Sequence, residues 1–156
     1  MWSILFPTLL SGLFLIAKYT AGEGQCVASI GGRCPPEWEL WRSKCYKVIT
    51  KGPWSEAKLE CYKIGGTMVV PQSMEEIIYL AELQYEYWIG CTDIQTEDTW
   101  VCEEGAKYFE LWHSGEPGGG DSENCMEIYA RSLNDKPCDA QVPAICQRDI
   151  LPKLHL

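Results

Sequence analysis

The hydrophobic pattern of the chain predicts two early helices. After Pro53, a residue tolerated at the start of a helix, apolar positions recur at steps of three and four residues and share one buried face. These positions are Trp54, Ala57, Cys61 and Ile64. The glycine pair at 65–66 ends this first helix. Ser73 and Glu76 form a capping-box pattern that starts a second helix reaching about Leu83.

Strand patterns precede and follow these helices. Aromatic and β-branched residues around Cys45 predict a hairpin or a pair of strands before the first helix. Further strands are predicted at 67–70, 87–91, 100–102, 125–129 and 142–146. Residues 103–124 show no regular pattern, and loops of this length are usually functional or disordered. Helices early in the chain and strands afterwards predict an α+β fold.

The amino-terminal region differs from this folded part in composition. The apolar run at 4–17 is shorter than the roughly 18–20 residues that span a bilayer, and small residues follow it at 20–22. We interpret this start as a cleaved secretory signal, which predicts an extracellular protein. An uncleaved anchor is the alternative, disfavoured because Lys18 follows the run and no basic residue precedes it. The predicted parts are a signal (1–22), a stalk (23–33), one domain (34–148) and a tail (149–156).

Composition narrows the classes of function. The net charge of -9 argues against binding to nucleic acid and to anionic membranes, which needs clustered Lys or Arg. Seven Trp and eight Tyr predict a packed aromatic core. Nine cysteines, all after the signal, predict a disulfide framework with at least one cysteine left without an intrachain partner. No C-x-x-C pair is present, so a zinc site is not expected.

Eight short segments occur in an order that is similar to C-type lectin-like domains. They are CPPEWELWRSKCY, WSEAKLEC, GGTMVVPQSMEE, YWIG, LWHSGEP, ENC, NDKPC and VPAIC. The resemblance covers about residues 34–147. It implies two helices with mixed and antiparallel strands, disulfides, and a long loop that binds calcium and ligand.

The resemblance also implies how most cysteines pair. The implied pairs are Cys34–Cys45, Cys61–Cys146 and Cys125–Cys138. Cys91 and Cys102 stand where the family usually has Leu and Trp, which suggests a fourth disulfide, with two buried thiols as the alternative. Cys26 remains in the stalk. We expect it to form an interchain bond in a homodimer; a capped thiol or another pairing are the alternatives.

The motifs of the resemblance imply a calcium site. Calcium takes six to eight oxygen ligands, and sugar hydroxyls can complete the shell. The implied ligands of both metal and sugar are Glu116, Glu123, Asn134 and Asp135, with a cis bond before Pro117. Gly118 departs from the family's Asn or Asp and removes one oxygen, and Leu133 replaces the usual Trp. Backbone carbonyls and water can fill such a gap.

A second, auxiliary calcium site is implied around a pair of acids four residues apart. Asp93 and Glu97 show this spacing, Glu123 can be shared, and Asn124 stands where Asp or Asn is usual. Gly119 lacks the oxygen that the family supplies beside the main motif.

The resemblance therefore implies a secreted, calcium-dependent lectin that binds glycans or glycoproteins. Glu116 favours the mannose, N-acetylglucosamine or fucose class, although Gly118 removes the other half of that code. A domain that binds proteins without calcium is the alternative. Trp112 is expected in the core and His113 on the surface. We expect no enzymatic activity, because the sequence shows no nucleophile elbow, phosphate loop or Ser/His/Asp signature.

Overall fold

The computed structural model describes residues 32–151, which contain two α-helices and eight strands. The helices are α1 (Trp54–Lys63) and α2 (Met74–Leu83). The strands are β1 (Glu39–Trp41), β2 (Lys44–Gly52), β3 (Thr67–Met68), β4 (Glu86–Thr92), β5 (Val101–Cys102), β6 (Cys125–Tyr129), β7 (Ser132–Lys136) and β8 (Val142–Asp149). The expected α+β class is confirmed. Cys26 and the signal expected at 1–22 lie outside the described residues.

The strands form one mixed sheet in the order β1-β2-β8-β4-β6-β7, with β3 beside β8 and β5 beside β4. Strands β4 and β8 run parallel, pairing Trp88 with Ala144, and the other pairs are antiparallel. Strand β7 was not expected from the sequence, and the strand predicted at 67–70 ends at Met68. The sheet therefore carries one more strand than the pattern indicated, and that strand holds Asn134 and Asp135.

Helix α1 packs on one face of the sheet as its pattern predicts. Trp54, Ala57 and Cys61 are buried on it, in a cluster with Trp88. Both indole N–H groups are satisfied, since Trp54 donates to the carbonyl of Ile89 at 2.8 Å and Trp88 to that of Gly52 at 2.9 Å. Large aromatic side chains can therefore fill this core without leaving a buried donor unpaired.

Helix α2 packs on the other core cluster and begins with the expected cap. The Ser73 hydroxyl accepts a hydrogen bond from the backbone N–H of Glu76 at 3.2 Å. The Glu76 carboxylate then accepts from the N–H of Gln72, one residue earlier than a capping box requires, and from the Tyr46 hydroxyl at 2.6 Å. This buried acid thus links the helix start to strand β2.

The loop at 103–124 contains only two short 3₁₀ turns, at Glu103–Gly105 and Gly120–Ser122. It is fixed to the domain by backbone hydrogen bonds. Phe109 donates to the carbonyl of Pro71 at 2.9 Å, Leu133 donates to Leu111 at 2.7 Å, and His113 donates to Leu133 at 2.8 Å. The part of the loop that precedes Glu116 is therefore held directly beside β7.

Four disulfides close the domain, and they are the pairs expected from the sequence. They are Cys34–Cys45, Cys61–Cys146, Cys91–Cys102 and Cys125–Cys138. Cys61–Cys146 ties α1 to β8 across 85 residues. Cys91 and Cys102 face each other across β4 and β5, so they occupy buried strand positions in place of a packed Leu and Trp. Within residues 32–151, no helix is long and apolar enough to cross a bilayer.

Replacing Cys91 and Cys102 together by alanine should lower the free energy of unfolding by about 2–4 kcal/mol, because the bond that restricts the unfolded chain is lost. Urea unfolding followed by tryptophan fluorescence measures this. Each single variant, Cys91→Ala or Cys102→Ala, should show a similar loss and expose one additional titratable thiol after denaturation. An unchanged urea midpoint, or two free thiols in the denatured wild type from these positions, would contradict the prediction.

Candidate functional site

The carboxylates of Glu116 and Asp135 face each other where the long loop passes over β7. The Glu116–Pro117 peptide bond is cis, as the resemblance implies. The backbone N–H of Gly118, just after this bond, donates to both carboxylate oxygens of Asp135 at 3.0 Å. Asp135 is only 3% exposed, so the loop covers the acid that β7 presents.

This arrangement raises the pKa of Glu116 above its usual value. Loss of hydration contributes most, followed by the hydrogen bond to Asp135 and by the negative charges of Asp135 and Glu123, which His113 opposes only weakly. Each of these causes disfavours the ionised carboxylate. A cation placed among these acids would favour the ionised form instead. The geometry is therefore one that a positive charge would stabilise.

Two glycines of the loop make room for the acids. A Cβ added to Gly118 would lie 2.8 Å from Oε2 of Glu116, the mobile end of a side chain. A Cβ on Gly119 would overlap the carboxylate of Glu123, and Gly119 has a positive φ of 64°. Glu123 therefore lies over Gly119, in space that any other residue type would occupy.

The side chain of Asn134 is oriented by a neighbour that the sequence reasoning missed. Its Nδ2 donates to Oε1 of Glu127 at 3.0 Å and to the backbone carbonyl of Asp135 at 2.7 Å. Both bonds use the nitrogen, so the Oδ1 atom is available to a cation or hydroxyl. Glu127 is 1% exposed and also bonds Lys136 at 3.2 Å. The pairing of Glu127 with Asn134 on β6 and β7 is the signal that would have found it, had β7 been predicted.

The auxiliary acids lie on a neighbouring loop. The backbone N–H of Asp93 donates to the carbonyl of Asn124 at 3.3 Å, which joins this loop to the end of the long one. Burial is the main cause that raises the pKa of Asp93, and the charge of Asp135 adds to it. Loss of hydration, then the charges of Asp93 and Asp121, raise the pKa of Glu97. The two acid groups thus form one negative region.

The donor chemistry suits a hard cation, although the donors do not form a finished shell. Within residues 32–151, no three Asp, Glu, His or Cys side chains converge closely enough to hold a metal by themselves. The side chains nevertheless carry oxygen atoms, the type of ligand that calcium prefers, at Glu116, Glu123, Asn134 and Asp135. The raised pKa of Glu116 fits such a site, because a bound cation removes the penalty of ionisation.

Trp112 was expected in the core and is half-buried against it, whereas His113 lies on the surface as expected. Trp112 packs on Trp100, with ring centroids 5.3 Å apart, and against the main core cluster. His113 is exposed. Trp112 therefore supports the loop from below, while His113 borders the acids.

Comparison with known proteins identifies the domain. The family model "Lectin C-type domain" matches residues 50–148. The chain is 30% identical over 128 residues to C-type lectin domain family 4 member M of Symphalangus syndactylus, covering 76% of this chain and 30% of that protein. It thus spans less than a third of the length of this relative.

Solved structures share the fold. The chain is similar to the C-type carbohydrate-recognition domain of cow CD23, solved in the presence of a GlcNAc2Man3 oligosaccharide, with a TM-score of 0.73, 26% identity and coverage of 78% of this chain and 100% of that one. It is equally similar to a calcium-independent type II antifreeze protein, with a TM-score of 0.73, 25% identity and coverage of 78% and 98%. The fold therefore occurs both in a carbohydrate-recognition domain and in a protein described as calcium-independent.

The variant Glu116→Gln should be more stable than the wild type in chelator at pH 7. The raised pKa of Glu116 means that its ionised form costs folding free energy above the unfolded-state pKa near 4.5. Glutamine removes that cost and can still donate to Asp135. Below about pH 4.5 Glu116 is largely protonated in both the folded and the unfolded state, so most of the advantage should disappear.

Thermal unfolding in EDTA at pH 7 and pH 4 measures this difference, and Glu82→Gln on the surface of α2 is the matched loss of charge. Equal melting temperatures for Glu116→Gln and Glu82→Gln at pH 7 would show that the acid pair is not under strain from its charge.

Proposed function

Because the chain belongs to the C-type lectin domain family, we propose that it is a secreted protein that binds sugars through calcium. One observation carries the proposal: Glu116 and Asp135 face each other under a hydrogen bond from Gly118, with Glu123 and Asn134 beside them. Glu116 and Glu123 lie on the long loop, and Asn134 and Asp135 lie on β7 beside it. The role is one of binding, in keeping with a family that is generally non-enzymatic.

The proposed ligands of metal and sugar are four side chains: Glu116, Glu123, Asn134 and Asp135. Calcium, when bound, supplies coordination positions that two adjacent sugar hydroxyls can fill. Glu116 and Glu123 would coordinate the metal and would also accept hydrogen bonds from these hydroxyls. Asn134 offers its Oδ1 to the metal because Glu127 holds its nitrogen. Asp135, fixed by Gly118, sits below them. Asp93, Glu97 and Asn124 would hold an auxiliary calcium next to this site.

Sugar class and assembly are part of the proposal. Glu116 favours sugars of the mannose, N-acetylglucosamine or fucose type, with weak affinity because position 118 lacks its amide. A Cys26–Cys26 bond between two chains would present two sites, and multivalency would raise binding to clustered glycans. The signal and stalk proposed at 1–22 and 23–33 would deliver such a domain to the cell exterior.

A calcium-independent, protein-binding domain is the second candidate. It is favoured by the missing side-chain oxygen at Gly118 and by the lack of a convergent acid shell among the residues that the structure covers. A similar structure is described as calcium-independent, so this fold also occurs in a protein that does not depend on the metal.

A glycan array separates the two candidates. The wild type in millimolar calcium should bind a subset of glycans, and EDTA should abolish the signal. Asp135→Ala should lose both the glycan signal and the calcium-dependent rise in melting temperature, because it removes the ligand fixed by Gly118. Glu82→Gln serves as the control for lost charge. Glycan signal that survives EDTA, or an intact calcium response in Asp135→Ala, would refute the proposal.

The variant Gly118→Asn should raise calcium affinity, by about tenfold if the new oxygen contributes as one hydrogen bond to a charged group would. The change is sterically feasible because the nearest atom to an added Cβ is the flexible end of Glu116. Gly118→Ala adds the same Cβ without the oxygen and should give no gain. Calorimetric titration with calcium measures both. Equal affinities of the Asn and Ala variants would contradict the expectation.

A further inference from the structure

A cavity with a volume of about 460 Å³ lies where the end of α1 meets β3 and the end of β8. We call it the α1–β8 cavity, and its lining includes Lys44, Tyr62, Glu104, Arg148 and Asp149. This volume falls in the range of small-molecule pockets, roughly 300–1,000 Å³. Among the described residues, its lining shares no side chain with the proposed calcium site, and β4 and β6 lie between β8 and β7 in the sheet. A ligand in this cavity would therefore bind independently of calcium and sugar.

The guanidinium of Arg148 is held in place without being neutralised. It lies over the ring of Trp38, 5.7 Å from the ring centroid. A Cβ added to Gly65 would lie 3.1 Å from its Nη1, so the missing side chain at this end of α1 leaves room for the group. The Nε atom is shielded from water and has no hydrogen-bond partner among residues 32–151. The charge is therefore partly desolvated, and an oxyanion bound in the cavity would offset that cost.

Lys44, Glu104 and Asp149 add one positive and two negative charges to the same cavity. Within the part of the chain that the structure covers, neither these three side chains nor Arg148 forms a salt bridge. Lys44 donates to Oε1 of Gln147 at 3.4 Å, although its direct partner across β2 and β8 is Asp149. The cavity thus holds two cations and two carboxylates that do not neutralise one another.

This balance of charge selects the type of ligand. A simple anion would be repelled by Glu104 and Asp149, and a simple cation would be repelled by Lys44 and Arg148. A ligand that carries both a carboxylate and an ammonium group can satisfy both pairs at once. The planar guanidinium of an arginine suits a carboxylate in particular, because it can donate two parallel hydrogen bonds to it.

Tyr62 gives the cavity an aromatic surface beside these charges. Its side chain is 50% exposed at the end of α1. The charge of Glu103 is the main cause that raises the pKa of Tyr62, and the charge of Glu104 adds to it. The ring and the Glu104 carboxylate therefore lie near each other. A tyrosine ring offers apolar contact area at low entropic cost.

We infer that the α1–β8 cavity binds a small zwitterion, an α-amino acid with an aromatic or aliphatic side chain. Its carboxylate bonds the guanidinium of Arg148 and the ammonium of Lys44. Its own ammonium group lies against the carboxylates of Glu104 and Asp149, and its side chain packs on Tyr62. The inference goes beyond the proposed function and does not need bound calcium.

An NMR titration of the full chain in EDTA, which follows the backbone amide signals, tests this with three probes that share one ring. Phenylalanine carries both charges, 3-phenylpropionate lacks the ammonium group, and phenethylamine lacks the carboxylate. Phenylalanine should bind, and each of the other probes should bind about tenfold more weakly because one charged contact is lost. The signals of Thr67 and Gln147, which line the cavity, should shift, whereas those of Asn134 and Asp135 should not.

Variants assign each charge to its contact. Arg148→Met should weaken phenylalanine about tenfold and leave phenethylamine unchanged, whereas Arg148→Lys should retain part of the affinity. Glu104→Gln combined with Asp149→Asn should weaken phenylalanine but not 3-phenylpropionate. Arg131→Met, which removes an exposed arginine between β6 and β7, is the matched control and should change neither. Should Arg148→Met fail to fold, Lys44→Met tests the carboxylate contact in its place.

Several results would overturn the inference. One is the absence of binding by both phenylalanine and leucine. Equal affinity for the three probes is another, because the charges would then play no part. Signal shifts confined to the long loop and β7 would move the ligand to a different place. Loss of glycan binding in calcium tests the proposed function alone and leaves this cavity unaffected, so the two proposals fail separately.

Discussion

Two backbone hydrogen bonds at Leu133 determine where the acids of the candidate site lie. Through its N–H and its carbonyl, Leu133 pairs with Leu111 and His113 of a loop that has almost no secondary structure of its own. Leu133 is itself buried, so its contacts anchor the loop to the core. Because side chains alternate along a strand, a slip of β7 by one residue would exchange Asn134 and Asp135 between the two faces. The geometry of the site thus depends on the register of β7 against β6 and the long loop.

The surroundings of the acids distinguish those that support the fold from those of the candidate site. Three glutamates buried in the body of the domain all have protein donors. Glu76 accepts hydrogen bonds from Tyr46 and Gln72. Glu103 accepts one from the backbone of Met68 and forms an ion pair with Lys58. Glu127 accepts hydrogen bonds from Asn134 and Lys136. Glu116 and Asp135, by contrast, have each other and the Gly118 N–H. A buried acid that is bonded to protein donors stabilises the local structure. Two acids that face each other repel when both are ionised, and this opposes folding until a bound cation offsets the repulsion.

The sequence predicted those parts of the fold in which local pattern and tertiary packing agree. Helices α1 and α2 have periodic apolar positions and clear starts, so their bounds could be predicted closely. Strand β7 could not be, because Ser132, Asn134, Asp135 and Lys136 are poor strand formers and are held there by pairing with β6. The loop acids came from the resemblance, not from periodicity. Glu127 was hidden because a single charge within an apolar strand has no pattern until its partner across the hairpin is known.

The Glu123 side chain lies over Gly119, so the residue types allowed at these two positions depend on each other. A side chain of any kind at 119 would need the volume that the carboxylate at 123 now fills. In this chain the two positions are therefore coupled, because a side chain added at 119 would displace the Glu123 carboxylate from its place over the loop. Gly119, which by composition only subtracts an oxygen from the auxiliary site, thus also decides where the nearest remaining carboxylate can lie.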